Sequence, residues 1–465
     1  MMRTLAAFLL VLCFAGTSRA TEETLTFSRF GTITLYRPTP HPAHVVLFVS
    51  GDGGWNKGVV DMARELARLD ALVVGIDIRH YLHALAAARE ECSYPAADFE
   101  ALSQYLQKKL DFPSYTPPVL VGYSSGATLV YATLVQAPPN TFLGAISLGF
   151  CPDLLITKPF CKGNALAWKA GPRGKGVIFL PAKKLESPWI AFQGTIDQVC
   201  DPASTESYVK KVSHAKLVVL PKVGHGFSVP RNWLPQFKTA FLEVTSSPQP
   251  SRAGEKGDLA GLPLVVIRPK GTSEDPDLLA VILSGDGGWA SIDRELGKVL
   301  AGEGFPVVGL NSLQYFWKQR DPDGASRDLE RILRHYLAVW NKKKAILIGY
   351  SRGADVLPFM ANRLPEDLLD QVSVIALLGP ERSVQFKFHV TDWLGGGGGK
   401  NALPTLPEVQ KLRGKKILCF YGIKEKDSLC PALDKDLAKS YGMPGAHHLG
   451  GKYGELAKII LAEGR

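Results

Sequence analysis

Along the chain, short apolar runs alternate with longer mixed segments in which apolar residues recur at helical spacing. In the first half, Val45–Val49 and Leu72–Ile76 read as strands, with a helix over 60–69 between them. A longer helix over 97–110 leads to a third strand at Val119–Val121. The second half repeats this layout with strands at Leu279–Leu283, Pro306–Leu310 and Ala345–Ile348 and helices over 293–301 and 326–341. Later strands are expected at Ile146–Leu148, Trp189–Phe192 and Leu217–Leu220, and at Val374–Leu378 and Ile417–Phe420. Strands buried on both faces carry such continuous apolar runs, and their alternation with helices predicts a mostly parallel sheet covered on both sides.

The halves also match in detail. Ser50-Gly51-Asp52-Gly53-Gly54-Trp55 returns 234 residues later as Ser284-Gly285-Asp286-Gly287-Gly288-Trp289, and Val73-Val74-Gly75-Ile76 returns at the same offset as Val307-Val308-Gly309-Leu310. A duplicated fold follows. At 465 residues the chain is also too long for one ordinary core. The expected organisation is a leader over 1–20, a first domain over 21–245, a linker over 246–260 rich in Ser, Pro and Gly, and a second domain over 261–465. Gly395–Gly399 forms a further Gly-rich stretch inside the second domain, read as a surface loop with a lid as the alternative.

Two Gly-x-Ser-x-Gly motifs stand where a strand gives way to a helix: Gly122-Tyr123-Ser124-Ser125-Gly126 and Gly349-Tyr350-Ser351-Arg352-Gly353. That is the pattern of a nucleophile elbow, whose tight turn lifts a serine hydroxyl off the sheet and leaves no room for side chains on either flank. It predicts an α/β fold of two tandem α/β-hydrolase-like domains. A serine hydroxyl needs a base and a group to orient that base, and in this fold they follow in the order serine, acid, histidine. In the first half, Asp197 and His225 fill those places. In the second half Asp427 is favoured over Glu425, because Asp197 and Asp427 share an Asp-x-x-Cys pattern; His447 is favoured as the base, with His448 the alternative. The Gly-rich loops follow an early strand, where the fold supplies half of an oxyanion hole. The expected donors are the backbone N–H groups near Asp52, Gly53 and Ser125, and near Asp286, Gly287 and Arg352. The aspartate in each loop is read as closing the turn or capping the next helix, or else as turning away to pair with a cation.

Composition narrows the setting. Arg3, the apolar run Leu5–Ala15 and Ser18-Arg19-Ala20 form a signal-peptide pattern. The formal charge is +10, falling to +8 once Arg3 and Arg19 leave with it. Beyond it lie six cysteines, four in the first half and two in the second, which suggests disulfides. Cys419 can then pair only with Cys430 within its half, whereas the first half admits three connectivities. Basic clusters at Lys342–Lys344 and Arg413–Lys416 precede strands, so they belong at the end of the sheet opposite the serine. No Cys and His spacing suits a metal, no Gly-rich loop continues into a phosphate-binding Lys-Ser/Thr, and no cofactor is expected. Net charge alone does not make a nucleic-acid binder.

The stretch Gly349–Phe359 together with Ser284–Trp289 resembles the AcvB/VirJ family of bacterial virulence proteins, over the second half and more loosely the first. The resemblance implies a periplasmic hydrolase of the α/β-hydrolase fold that acts on lysyl-phosphatidylglycerol, an aminoacylated membrane lipid. Ser351 would attack the lysyl carbonyl, His447 would carry the proton and Asp427 would hold the histidine. A carboxylate, Asp286 or Asp355, would receive the lysyl ammonium. Family links to a type IV secretion system imply secretion proteins as possible partners and a non-enzymatic accessory as the rival role; a general carboxylesterase is the other alternative.

Overall fold

The computed structural model describes residues 21–163, 165–183, 185–246, 258–289, 291–388 and 402–464. The leader over 1–20, the linker core over 247–257 and Gly395–Gly399 lie outside the described residues.

Two large sheets carry the molecule. The first holds β1 (Thr21–Phe27), β2 (Gly31–Arg37), β3 (His44–Val49), β4 (Ala71–Ile76), β5 (Val119–Tyr123), β6 (Gly144–Leu148), β7 (Trp189–Gly194) and β8 (Ala215–Leu220), in the order β1-β2-β4-β3-β5-β6-β7-β8. The second holds β9 (Leu264–Ile267), β10 (Leu278–Leu283), β11 (Val307–Leu310), β12 (Lys344–Tyr350), β13 (Val372–Leu378), β14 (Ile417–Gly422) and β15 (Lys439–Met443), in the order β9-β11-β10-β12-β13-β14-β15. β1 and β2 run antiparallel to their neighbours, as does β9 against β11; the other pairings are parallel. Removing β1 superimposes one strand order on the other. Each is the α/β-hydrolase order, with the serine after the third parallel strand added along the chain.

The unbroken apolar runs are explained by burial on both faces. Val45, Leu47 and Val49 enter one core cluster while Val46 and Phe48 enter the other. Leu279, Val281 and Leu283 likewise part from Leu278, Ala280 and Ile282. This is the period of two that a strand imposes. The paired repeat motifs have a common cause. A Cβ on Gly75 would lie 2.1 Å from the Trp55 ring, and one on Gly309 would lie 2.1 Å from Trp289. Each tryptophan of the Gly-rich loop therefore seats on the glycine of the neighbouring strand, and neither motif can change alone.

Disulfides join Cys92 to Cys161, Cys151 to Cys200 and Cys419 to Cys430. The basic clusters sit at strand starts, opposite the serines, and are answered locally: Lys343 by Asp277 and Lys415 by Asp370. Among the described residues no helix is long and apolar enough to cross a membrane.

The domains touch through a defined seam. Tyr115 of the first meets Leu313, Trp317 and Phe388 of the second in a buried cluster. Trp317 Nε1 donates to the Phe112 carbonyl at 2.8 Å, and Lys108 sits 3.9 Å from the Trp317 ring centre. Arg294, nearly buried, pairs with Glu186 at 2.6 Å.

Candidate active sites

Both elbows adopt the same strained backbone. Ser124 has φ 54° and ψ −123°, and Ser351 has φ 52° and ψ −123°. A non-glycine residue is held there only when its surroundings demand it. The flanking glycines make the turn possible: a Cβ on Gly122 would lie 2.1 Å from the Gly126 carbonyl oxygen, and one on Gly353 2.1 Å from that of Leu283. The serine N-caps the helix behind it, α1 (Ser125–Gln136) or α2 (Arg352–Ala361). The positive end of that helix thus points toward where negative charge would develop.

In the first domain the hydrogen-bonded chain is closed. His225 Nε2 lies 2.9 Å from Ser124 Oγ, and Nδ1 lies 2.9 Å from Asp197 Oδ2. Asp197 is buried, and its Oδ1 accepts from the Val199 and Cys200 N–H groups at 2.8 and 2.9 Å. With Nδ1–H given to the carboxylate, Nε2 is left as the acceptor for the serine proton. Asp197, Cys200 and His225 are close enough to suggest a metal cluster, but the Cys200 sulfur is committed to Cys151.

In the second domain His447, not His448, takes the equivalent place. A Cβ on Gly379 would meet His447 Cε1 at 3.0 Å, as one on Gly149 would meet His225 Cε1 at 3.0 Å. The carboxylate that meets the imidazole is Glu425, which corrects the expectation of Asp427: Glu425 Oε1 lies 2.5 Å from His447 Nδ1, while Asp427 is exposed and holds no hydrogen bond among the described residues. The shared Asp-x-x-Cys pattern misled because the two cysteines do different things. Cys200 ties the acid's loop to Cys151 beyond β6, whereas Cys430 returns to Cys419 within β14. The signal that identifies the acid is the glycine ending the strand. Asp197 stands three residues after Gly194 and Glu425 three after Gly422, and each folds back to donate its N–H to that glycine's carbonyl, at 3.3 and 2.8 Å. The longer glutamate also accepts the Gly422 N–H at 2.7 Å.

Burial alone would lower the His447 pKa, but the hydrogen bond and charge of Glu425, with Glu381 and Asp286 behind it, outweigh burial and raise it. Burial would raise the Glu425 pKa; the bonds from His447 and Gly422 instead lower it. His448 is lowered by burial and by His447 beside it, and its Nδ1 lies 3.3 Å from the Tyr350 hydroxyl. Among the described residues no hydrogen bond joins Ser351 to His447, so this chain of contacts is open at its last link.

Each loop aspartate is held by the residue that follows the elbow serine. Asp52 Oδ1 accepts from Ser125 Oγ at 2.7 Å, and Asp286 forms an ion pair with Arg352. Helix capping after the first loop falls to Asn56, which accepts the Gly58 N–H. The N–H groups of Asp52, Gly53 and Ser125, and those of Asp286 and Gly287, enter no hydrogen bond among the described residues, so they remain available as oxyanion donors. Of the two carboxylates expected to receive an ammonium, Asp286 lines the cavity and Asp355 does not. Asp286 is committed to Arg352, and Asp355 is buried off the cavity wall, accepting the Glu381 N–H at 2.6 Å.

Ser351, His447 and His448 line a cavity of about 700 Å3. Its far wall is built by the first domain, from Tyr94, Glu100 and their neighbours. Sequence patterns within either half could not show this, since the cavity exists only where the halves meet.

Solved structures of similar shape each span about half of the chain. They include Est1E from Butyrivibrio proteoclasticus, 15% identical over 48% of this chain and 98% of that one with a TM-score of 0.34. XC6422 from Xanthomonas campestris, described as an α/β serine hydrolase without a lid, is 20% identical over 49% and 94%, with a TM-score of 0.32. Esterase 2 from Thermogutta terrifontis is 16% identical over 50% and 97%, with a TM-score of 0.35. Among curated proteins, none matches. The family model of the bacterial virulence protein VirJ matches residues 43–142 and 277–465. Those two segments take in both Gly-rich loops, both elbows and the Glu425–His447 pair, and they make up more than half of the sequence; the chain belongs to the VirJ family.

Proposed function

We propose that this protein is a periplasmic serine hydrolase that cleaves the aminoacyl ester of lysyl-phosphatidylglycerol, with Ser351 as nucleophile, His447 as base and Glu425 as the group that orients it. The observation that carries this reading is the repeated geometry: a strained serine at a helix N-terminus and an imidazole held by a carboxylate, built twice on one chain. The closed Ser124–His225–Asp197 chain supports the role of each part in the open copy. Catalytic hydrogen bonds are often long before substrate binds. The second site is preferred because its serine opens into the cavity between the domains.

In the reaction, His447 Nε2 takes the Ser351 proton as Oγ attacks the lysyl carbonyl. The oxyanion is held by the N–H groups at the start of α2 and in the Gly-rich loop. Collapse breaks the ester bond, and His447 returns the proton to the departing glycerol oxygen. Water, deprotonated by the same imidazole, then splits the acyl-enzyme and frees lysine.

The test is release of lysine from the purified lipid by the wild type, Ser351→Ala and Ser124→Ala. Loss confined to Ser351→Ala supports the proposal. Loss confined to Ser124→Ala moves the activity to the first domain. Full activity when both serines are replaced together removes the serine-hydrolase reading, and no release of lysine by the wild type leaves the secretion accessory. Accumulation of lysyl lipid in cells lacking the gene separates this substrate from that of a general carboxylesterase.

A further inference from the structure

The cavity that holds Ser351 is acidic without an evident structural reason. Among its described lining residues are Glu100, Asp286 and Asp293 but no lysine or arginine. Asp286 is neutralised by Arg352; the other two are not. Glu100, on the helix Pro95–Lys109 of the first domain, is 9% exposed. Among the described residues its one hydrogen-bond partner is Gln104 Nε2, at the limiting distance of 3.5 Å. Asp293, near the start of the helix Ser291–Gly302 of the second domain, is 2% exposed. Its Oδ2 accepts the Gly285 N–H at 3.4 Å, and its Oδ1 has no partner among the described residues. Burial pushes the Glu100 carboxyl up to about 8 and holds Asp293 well above the usual carboxylate range.

Burying a carboxyl group without partners costs stability, and apolar or amide side chains of similar size would fill the same space. Such strain is expected where a ligand relieves it. The ligand that would do so is a cation: its arrival lets each carboxyl ionise and supplies the missing hydrogen-bond donors. The carboxyls come from different domains, so neither domain alone offers both.

We infer that the first domain completes the second domain's active site, and that Glu100 together with Asp293 forms a subsite for the ammonium groups of the substrate. A lysyl ester carries two such groups, on Cα and on Cε, and two carboxyls await them. This inference deepens the reading of Ser351 as the nucleophile and rests on it for the position of the ester. Glu100 and Asp293 are specificity residues: they touch the acyl group and take no part in bond making.

The experiment uses the full chain. kcat/KM is measured for lysyl-phosphatidylglycerol and for p-nitrophenyl butyrate, a neutral ester, in the wild type, Glu100→Gln and Asp293→Asn. The ratio of lysyl to butyryl kcat/KM is expected to fall at least about tenfold in each variant, the scale of losing one charge-assisted hydrogen bond. The thermal midpoint should hold or rise, because an unpaired buried acid has been removed. An unchanged ratio overturns the inference, as does equal loss on both esters with a lowered midpoint, which would mark a structural role. Binding of L-lysinamide to Ser351→Ala, read by calorimetry, needs no turnover. Binding that Glu100→Gln weakens about tenfold supports the subsite even if ester hydrolysis proves absent, and binding indifferent to Glu100→Gln overturns it. Hydrolysis indifferent to Ser351→Ala would instead sink the proposed function while leaving the subsite standing.

Discussion

The two sites differ in a way that divides the work of a hydrolase. The first domain has the tighter catalytic chain, with serine, histidine and aspartate joined by two contacts of 2.9 Å. The second has an open link at its serine but faces a walled cavity with carboxyls on two sides. The closed hydrogen-bonded chain is at Ser124, and the cavity walled by both domains is at Ser351. Chemistry needs both, since an activated serine acts only on an ester held in place beside it. The comparison ranks the second site first for substrate choice and makes the first a reference for what its parts should look like once substrate is bound.

The largest expected effect tests that ranking directly. Ser351→Ala should lower kcat on the lysyl ester by about 10^6-fold, on the scale of removing a serine nucleophile. Ser124→Ala should leave lysyl hydrolysis within about twofold if the two sites act independently. Reversal of these outcomes would show that a closed catalytic chain outweighs a walled cavity.

Next in size is the acid of the second site. Glu425→Gln should cost about 10^3- to 10^4-fold in kcat, because the imidazole loses the acceptor that fixes its tautomer and stabilises its charged form. Asp427→Asn, at an exposed residue without described partners, should change kcat less than about twofold. The pH profile sharpens the point. His447 must be neutral to act as a base, and Glu425 raises its pKa, so wild-type kcat/KM should fall as pH drops through a value above the ordinary histidine value of about 6.5. Taking away the carboxylate removes the raising influence, so this limb should move to lower pH in Glu425→Gln. A limb that stays in place would mean another group titrates there.

Those residues also show what was legible in the sequence. The central strands, both elbows, the contacts among Ser124, His225 and Asp197, and the place of His447 follow from apolar runs and motif order, because burial on two faces and a strained turn leave strong marks on residue type. The antiparallel strands β1, β2 and β9 leave a weaker mark, since strands such as Gly31–Arg37 mix threonine and charge with apolar residues. β15, Lys-Ser-Tyr-Gly-Met, is largely exposed and carries no apolar run at all. Glu425 is marked only by its distance from the strand's last glycine, a weaker signal than the cysteine spacing that points to Asp427. The cavity wall was not legible, since Glu100 and Ser351 lie in different halves and only the packed seam brings them to one space.

That seam gives the third prediction. Trp317 is buried against Tyr115 and Phe388 and donates to the Phe112 carbonyl, so it fastens the far wall of the cavity to the second domain. Trp317→Ala should cost about 3 kcal/mol of stability, within the range for deleting a buried tryptophan. It should lower kcat/KM on the lysyl ester about tenfold, mainly through KM, as expected when binding contacts loosen without touching the reacting groups. Ester turnover confined to the first domain should be spared. Equal loss at both sites would indicate general unfolding instead of a displaced wall.

The smallest effect is expected where the two copies differ by one residue. After each elbow serine comes the partner of the loop aspartate: Ser125 for Asp52, Arg352 for Asp286. Arg352→Ser writes the first domain's solution into the second. The backbone N–H at this position survives, so the oxyanion hole keeps that donor, and a serine hydroxyl can still bind Asp286 as Ser125 binds Asp52. What is lost is the guanidinium's second task. Arg352 Nη1 donates to the Gln385 carbonyl at 2.6 Å and to that of Lys387 at 3.3 Å, holding the segment that leads to Phe388 in the seam. Lysine cannot replace it, because one ammonium does not present the planar fork that meets a carboxylate and two carbonyls together. The thermal midpoint should drop by a few degrees, in line with roughly 1 kcal/mol or more of lost bonding. kcat on the lysyl ester should fall no more than about tenfold, less than the loss of an oxyanion donor would cause. A collapse of kcat comparable with that of Ser351→Ala, at unchanged stability, would instead place the Arg352 side chain at the reacting carbonyl, and the two copies would then differ in their chemistry as well as in their surroundings.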